Sequence, residues 1–308
     1  MTKTHLRCFT GARGCVLAFV VAPMAPVATL GIASPALAAM HHPKGLYAPF
    51  ADCPLSNAAV EECILANTTS GEFTVGNKTV PINKTITLQG GTIPHENKET
   101  EEVTQEFVAA EDGNTLSKTE LTVPGGLLGI EAPKSWPRIL REIFNEFINK
   151  GLTGVTETTE LAKPASAIQI SPTNLIFEEG VALQLPVKVK LNNPFLGNSC
   201  YVGSSSNPII LNLTTGTTSP PPPNKAIKGS AGEVKFEEAG KILVLNGGSL
   251  VDNAFAAPEA TGCGGFFSAF VDPLVDTILG VPAAAGHNTA ILTGKLEQAN
   301  AAAVKASE

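Results

Sequence analysis

Cysteine, histidine and paired acidic residues are the side chains here whose types and spacing bear on chemistry. Of six cysteines, Cys8 and Cys15 fall in the first 38 residues, and Cys53, Cys63, Cys200 and Cys263 fall after them. Zinc sites commonly bring cysteines in close pairs or beside histidine. No C-x-x-C occurs in this chain, and no histidine is near these cysteines in sequence. An even number of cysteines in an exported chain points to disulfides. Three connectivities exist for four cysteines. The expected one joins sequence neighbours, Cys53 to Cys63 and Cys200 to Cys263.

The histidines after residue 38 are His41, His42, His95 and His287. His287 would act as a base only with Asp272 or Asp276 behind it and Ser249 as nucleophile, a constellation that no motif announces. Glu178, Glu179, Glu237 and Glu238 offer paired carboxylates of the kind glycosidases use. They fall in expected hairpin turns, where acids are ordinarily solvated. Asp112 is an oxygen ligand suited to calcium, without the spacing of a calcium loop. H-E-x-x-H, G-x-S-x-G and phosphate-loop patterns do not occur. The expectation is no catalytic residue, no cofactor and no metal.

The elements that would hold these residues are mostly strands. Leu183, Leu185, Val187, Val189 and Leu191 alternate with Gln184, Pro186, Lys188 and Lys190, the pattern of a half-buried strand. Pro186 places this strand near a sheet edge. Further strands are expected over 72–88, 103–109, 115–123, 209–213, 225–236, 241–245 and 287–293. Asp112-Gly113 is a hairpin signal between two of them. The stretch 151–163, rich in Thr, Glu and Gly, reads as a connection. The span 136–150 carries apolar residues at Trp136, Ile139, Leu140, Ile143, Phe144, Phe147 and Ile148, the stripe of an amphipathic helix that closes one side of a sheet. Ser135 and Gly151 are its expected caps. The run 266–279 reads as a short apolar helical segment with a buried face, and 296–305 as a frayed helical tail. The fold class is mostly β: an antiparallel β-sandwich or barrel-like sheets with these two helical segments.

The first 38 residues read as an export signal. Lys3, Arg7 and Arg13 precede an apolar run that ends in Ser34-Pro35-Ala36-Leu37-Ala38, a small-residue cleavage site. The rest divides into a lobe over 39–150 and a lobe over 151–308, or forms one continuous domain. Cleavage removes three of 21 basic residues and none of 28 acidic ones, so the remainder is more acidic than the full chain's −7. That disfavours nucleic acid and anionic membrane as partners. No second apolar stretch is long enough for a transmembrane anchor.

The segments Cys53-Pro54-Leu55 and Val80-Pro81-Ile82-Asn83-Lys84-Thr85 resemble those of uncharacterised secreted proteins of high-GC Gram-positive (actinobacterial) bacteria. The resemblance implies export and brings no catalytic residues. The expected function is that of a secreted or cell-surface-associated, non-enzymatic structural protein, whose partners are further copies of itself or cell-envelope components. The alternative is a module that binds a lipid, a glycan or another small apolar ligand.

Overall fold

The computed structural model describes residues 41–96, 103–150 and 152–308. The expected export signal and its cleavage site lie outside the described residues, as does the expected cap Gly151. The strands are β1 (Glu62–Val75), β2 (Lys78–Pro81), β3 (Ile86–Glu96), β4 (Val103–Ala109), β5 (Glu120–Thr122), β6 (Thr156–Leu161), β7 (Gln169–Ile170), β8 (Leu183–Asn192), β9 (Tyr201–Val202), β10 (Ile209–Leu213), β11 (Glu233–Glu237), β12 (Ile242–Asp252), β13 (Ala260–Thr261) and β14 (Thr289–Asn300). The helices are α1 (Arg138–Asn149), α2 (Pro172–Phe177), α3 (Ser268–Leu279) and α4 (Ala301–Ala306).

All the strands belong to one antiparallel sheet. Its main path runs β11-β12-β14-β1-β3-β4-β7-β8-β6-β5, and β2, β9, β10 and β13 pair off it. Strands from 39–150 and from 151–308 alternate along this path, with β14 seated between β1 and β12. The sheet folds over so that β1, β3, β12 and β14 face β5, β6, β8 and β10. Phe73, Leu88, Leu250 and Leu292 from the first wall meet Leu121, Leu185 and Leu211 from the second. The sheet is not a closed barrel. A second apolar cluster covers the outer face of the first wall. There Phe50, Leu55 and Val60 pack on Leu65, Ile242 and Val244, together with Val304 of α4.

Both expected disulfides are present. Cys53–Cys63 ties the covering segment to β1, and Cys200–Cys263 ties the β9 and β13 neighbourhoods. The second spans 63 residues. Closing a loop of that size restricts the unfolded chain by about 4 kcal/mol in the entropic account.

Several local expectations change. β8 alternates as expected but is a central strand, with β7 and β6 on one side and β10 and β9 on the other. Pro186 is tolerated because its missing donor points into the gap between β6 and β7. Its carbonyl, on the same side, accepts from Ala162 N at 3.0 Å, so only the reciprocal bond just past the end of the β6 pairing is forgone. Asp112-Gly113 does not close a hairpin. Residues 115–117 rejoin β3 in the direction already taken by β4, through the Leu88–Leu116 bridge, so 110–114 is an outward loop in one strand line.

The stretch 151–163 contains β6, held between β5 and β8. The C-terminal tail is packed rather than frayed. β14 runs to Asn300, whose side chain caps α4 by accepting from Ala303 N at 3.2 Å. Val304 is fully buried, and His41 Nδ1 meets the Glu308 carboxylate at 2.6 Å, pinning the N-terminal segment as well.

Candidate apolar interaction surface

Helix α1 has the expected apolar stripe, but the stripe faces outward. Ile139, Leu140, Ile143 and Phe147 are exposed, Phe147 to 75%, and only Ile148 is buried. The reason lies in how the helix is docked. Asn145 Oδ1 accepts from Ala132 N at 3.0 Å, Asn149 Oδ1 accepts from Gly125 N at 2.9 Å, and Thr153 Oγ1 donates to Ile148 O at 2.9 Å. These polar bonds hold the Asn145–Ile148–Asn149 side of the helix against the 125–132 strap, which leaves the opposite ridge uncovered. Trp136 folds back edge-on to Phe144 at 5.6 Å. Two ion pairs run along the helix, Arg138 with Glu142 at 2.7 Å and Lys150 with Glu146, and Arg141 stands outside them. Pro137 precedes the first turn, and Ser135 makes no cap bond.

The 266–279 run buries one face as expected, with Val275 buried and Val271 and Leu279 packed on the core, and turns a second apolar face outward. Gly264 and Gly265 both have positive φ and make the sharp entry to α3. Asp272 then accepts from Cys263 N at 2.7 Å and Gly262 N at 3.2 Å, and Asp276 accepts from Ala260 N at 2.7 Å. These carboxylates fix the Val271–Val275 side inward. At helical spacing that sends Phe266, Phe270 and Leu274 outward, with Phe266 96% exposed.

Two loops join these features into one end of the molecule. In the 125–130 strap, Leu127 N donates to Thr153 O at 2.6 Å near the end of α1, and Gly129 lies against Ile278 of α3. Asn193 donates from Nδ2 to Leu152 O and Gly154 O, and Gly264 N donates to Leu196 O at 2.7 Å. The loops add exposed Leu128, Ile130, Leu152 and Phe195. Thirteen of the eighteen exposed large apolar side chains among the described residues therefore lie at this end, a concentration characteristic of interaction surfaces rather than scattered exposure.

The interior beside this end holds an isolated acid. Glu157 of β6 is 2% exposed and accepts from Thr159 Oγ1 at 3.4 Å. Burial pushes its carboxyl up to about 7, with the Thr159 bond acting weakly the other way. It had been passed over as part of a polar connection. The β-branched run Thr156, Thr158, Thr159 was the available strand signal.

The residues weighed for catalysis do not converge. Asp272 and Asp276 are engaged by the backbone of 260–263, away from any base role, and Ser249 sits in the β12 ladder bonded to Ser230. Glu178 follows α2, pairs with Lys228 at 3.0 Å and accepts from Ala231 N, which holds its carboxyl below the ordinary value. Glu237 ends β11, and Glu238 opens the β11–β12 connection. Asp112 binds Asn114 within its own loop. Among the described residues no three His, Cys, Asp or Glu side chains are grouped to hold a metal ion. No helix of the described residues is long and apolar enough to cross a membrane. Comparison with protein-family models, with curated proteins and with solved structures gives no match for this chain.

Proposed function

We propose that the chain is an exported, non-enzymatic protein that attaches to a lipid layer of the cell envelope through its apolar end. The observation that carries this reading is the outward ridge of α1 beside the exposed Phe266–Phe270–Leu274 face. The α1 residues Trp136, Leu140, Ile143, Phe144 and Phe147 border an apolar recess of about 530 Å³ that is open to solvent; a shallow, open apolar surface suits insertion among lipid chains, whereas a small ligand needs a site that encloses most of its own surface. The largest apolar cavity in the core, about 70 Å³, is well below the roughly 300–1,000 Å³ of ligand pockets. That places a small apolar ligand second. The disulfides accord with an oxidising compartment.

The magnitudes suffice. Partial insertion of about nine such side chains, at about 1 kcal/mol each, gives an affinity on the order of micromolar. Because four of the five charges on α1 and its C-cap pair with one another and only Arg141 is left over, attachment should depend only weakly on anionic lipid or salt. Flotation with phosphatidylcholine vesicles tests this. Wild type is expected to float with them at low and at 0.5 M salt alike. The double variant Ile143→Asp/Phe147→Asp, at exposed positions, should stay folded and bind about 100-fold more weakly. A wild type that stays in the soluble fraction, or a variant that floats equally well, overturns the reading.

A further inference from the structure

Glu157 lines two adjoining core cavities of about 70 and about 30 Å³. Their other walls are apolar except for Thr68, Thr159 and one cation, Lys78 of β2. The charged groups on the surrounding elements are directed elsewhere. Glu72 of β1 is exposed, Glu120 of β5 accepts from Thr156, and Lys190 of β8 alternates with the buried Val189 and Leu191. Lys188 pairs with Glu160 and lies over Tyr201. Asp272 and Asp276 of α3 are bound to the 260–263 backbone. Lys78 is thus the one cation on the cavity wall with Glu157, and its ammonium donates to Gly129 O at 3.2 Å. Gly129 belongs to the strap that touches α1 on one side and Ile278 of α3 on the other.

We propose that Glu157 and Lys78 form a pH switch. Ionisation of the Glu157 carboxyl draws the Lys78 ammonium off the Gly129 carbonyl and loosens the 125–130 strap that joins α1 to α3. A neutral Glu157 makes no demand on Lys78, and the strap is held. A carboxylate in an apolar cavity is strongly unfavourable without a counter-ion. The conformation in which Lys78 turns inward therefore gains population as the carboxyl ionises. The proposal concerns the order of the strap and holds whether or not the apolar end binds lipid.

Hydrogen exchange of the 125–130 amides in the full chain, corrected for the intrinsic pH effect, tests it. Protection should fall about tenfold between about pH 5 and about pH 7 and level off above, because an open form whose carboxyl ionises more readily gains on the closed one only across that window. Amides of β1 and β14, which exchange through global unfolding, should instead follow the stability of the whole fold, and in Lys78→Met they should keep their pH dependence while the strap shows no step. Glu157→Gln should abolish the step, and Glu157→Leu should do the same if the amide variant folds poorly. Lys78→Met should lower strap protection at every pH, without a step. A strap step that persists in Glu157→Gln, or one that survives in Lys78→Met, overturns the switch.

Discussion

Val187→Asp is expected to destabilise the protein by about 4 kcal/mol or more, enough to leave much of it unfolded at ambient temperature. Val187 is 0% exposed. It sits in the middle of β8, opposite Leu161 of β6 and Ile209 of β10. An aspartate there has strands on both sides and no lysine of β8 on its own face: Lys188 and Lys190 alternate to the other face. The substitution both empties apolar volume and buries an unpaired charge. Urea unfolding followed by circular dichroism reads the change. A midpoint within experimental error of wild type would mean that β8 is not the central strand of the fold.

Glu157→Gln should act in the opposite direction, and only above mild acidity. Folding raises the Glu157 carboxyl from its ordinary value of 4.5 to about 7. Between those values the folded chain keeps a proton that the unfolded chain has released. Stability therefore falls as pH rises from about 4.5 to about 7 and is level outside that window for this group. At about 1.4 kcal/mol per unit the total is about 3 kcal/mol. Glutamine has nearly the same shape, can still accept from Thr159, and cannot ionise. The variant should match wild type near pH 4 and exceed it by about 3 kcal/mol at pH 8. Parallel stability profiles for the two proteins would show that Glu157 is not buried as described.

The two predictions rest on residues that the sequence made unequally visible. The alternation of Leu183 to Leu191 defines its own buried face, because period 2 leaves a strand only two faces and one is plainly polar. Its place in the sheet is a long-range matter. Pro186 suggested an edge, and the gap between β6 and β7 that accommodates it is created by residues 162–168, which no local pattern reveals. The cysteine pairing was legible because loop closure favours near neighbours. Glu157 was hidden for the converse reason. A glutamate among threonines reads as solvated, and only the assembled walls of β1, β5 and β8 bury it.

The apolar end was half legible. Periodicity established that 136–150 is a helix with one apolar stripe and that 266–279 is apolar, and both are helical. Amphipathicity identifies a stripe but not what it faces. The stripe's orientation came from polar side chains on the other faces, Asn145 and Asn149 in α1 and Asp272 and Asp276 in α3. Each satisfies backbone donors that would otherwise be left without partners. Such bonds are non-local for α1, and for α3 they depend on the turn at Gly264-Gly265.

Attachment through the apolar end is most directly tested by the chain's single tryptophan. Trp136 lies at the head of the α1 ridge, partly exposed and edge-on to Phe144. On addition of neutral phosphatidylcholine vesicles its emission should shift to shorter wavelength, and brominated acyl chains should quench it. Bromine placed high on the chain should quench more strongly than bromine placed deep, as for a helix lying in the interface. Emission that is unchanged by vesicles and unquenched by brominated lipid, at protein and lipid concentrations well above micromolar, would contradict attachment to lipid through this end.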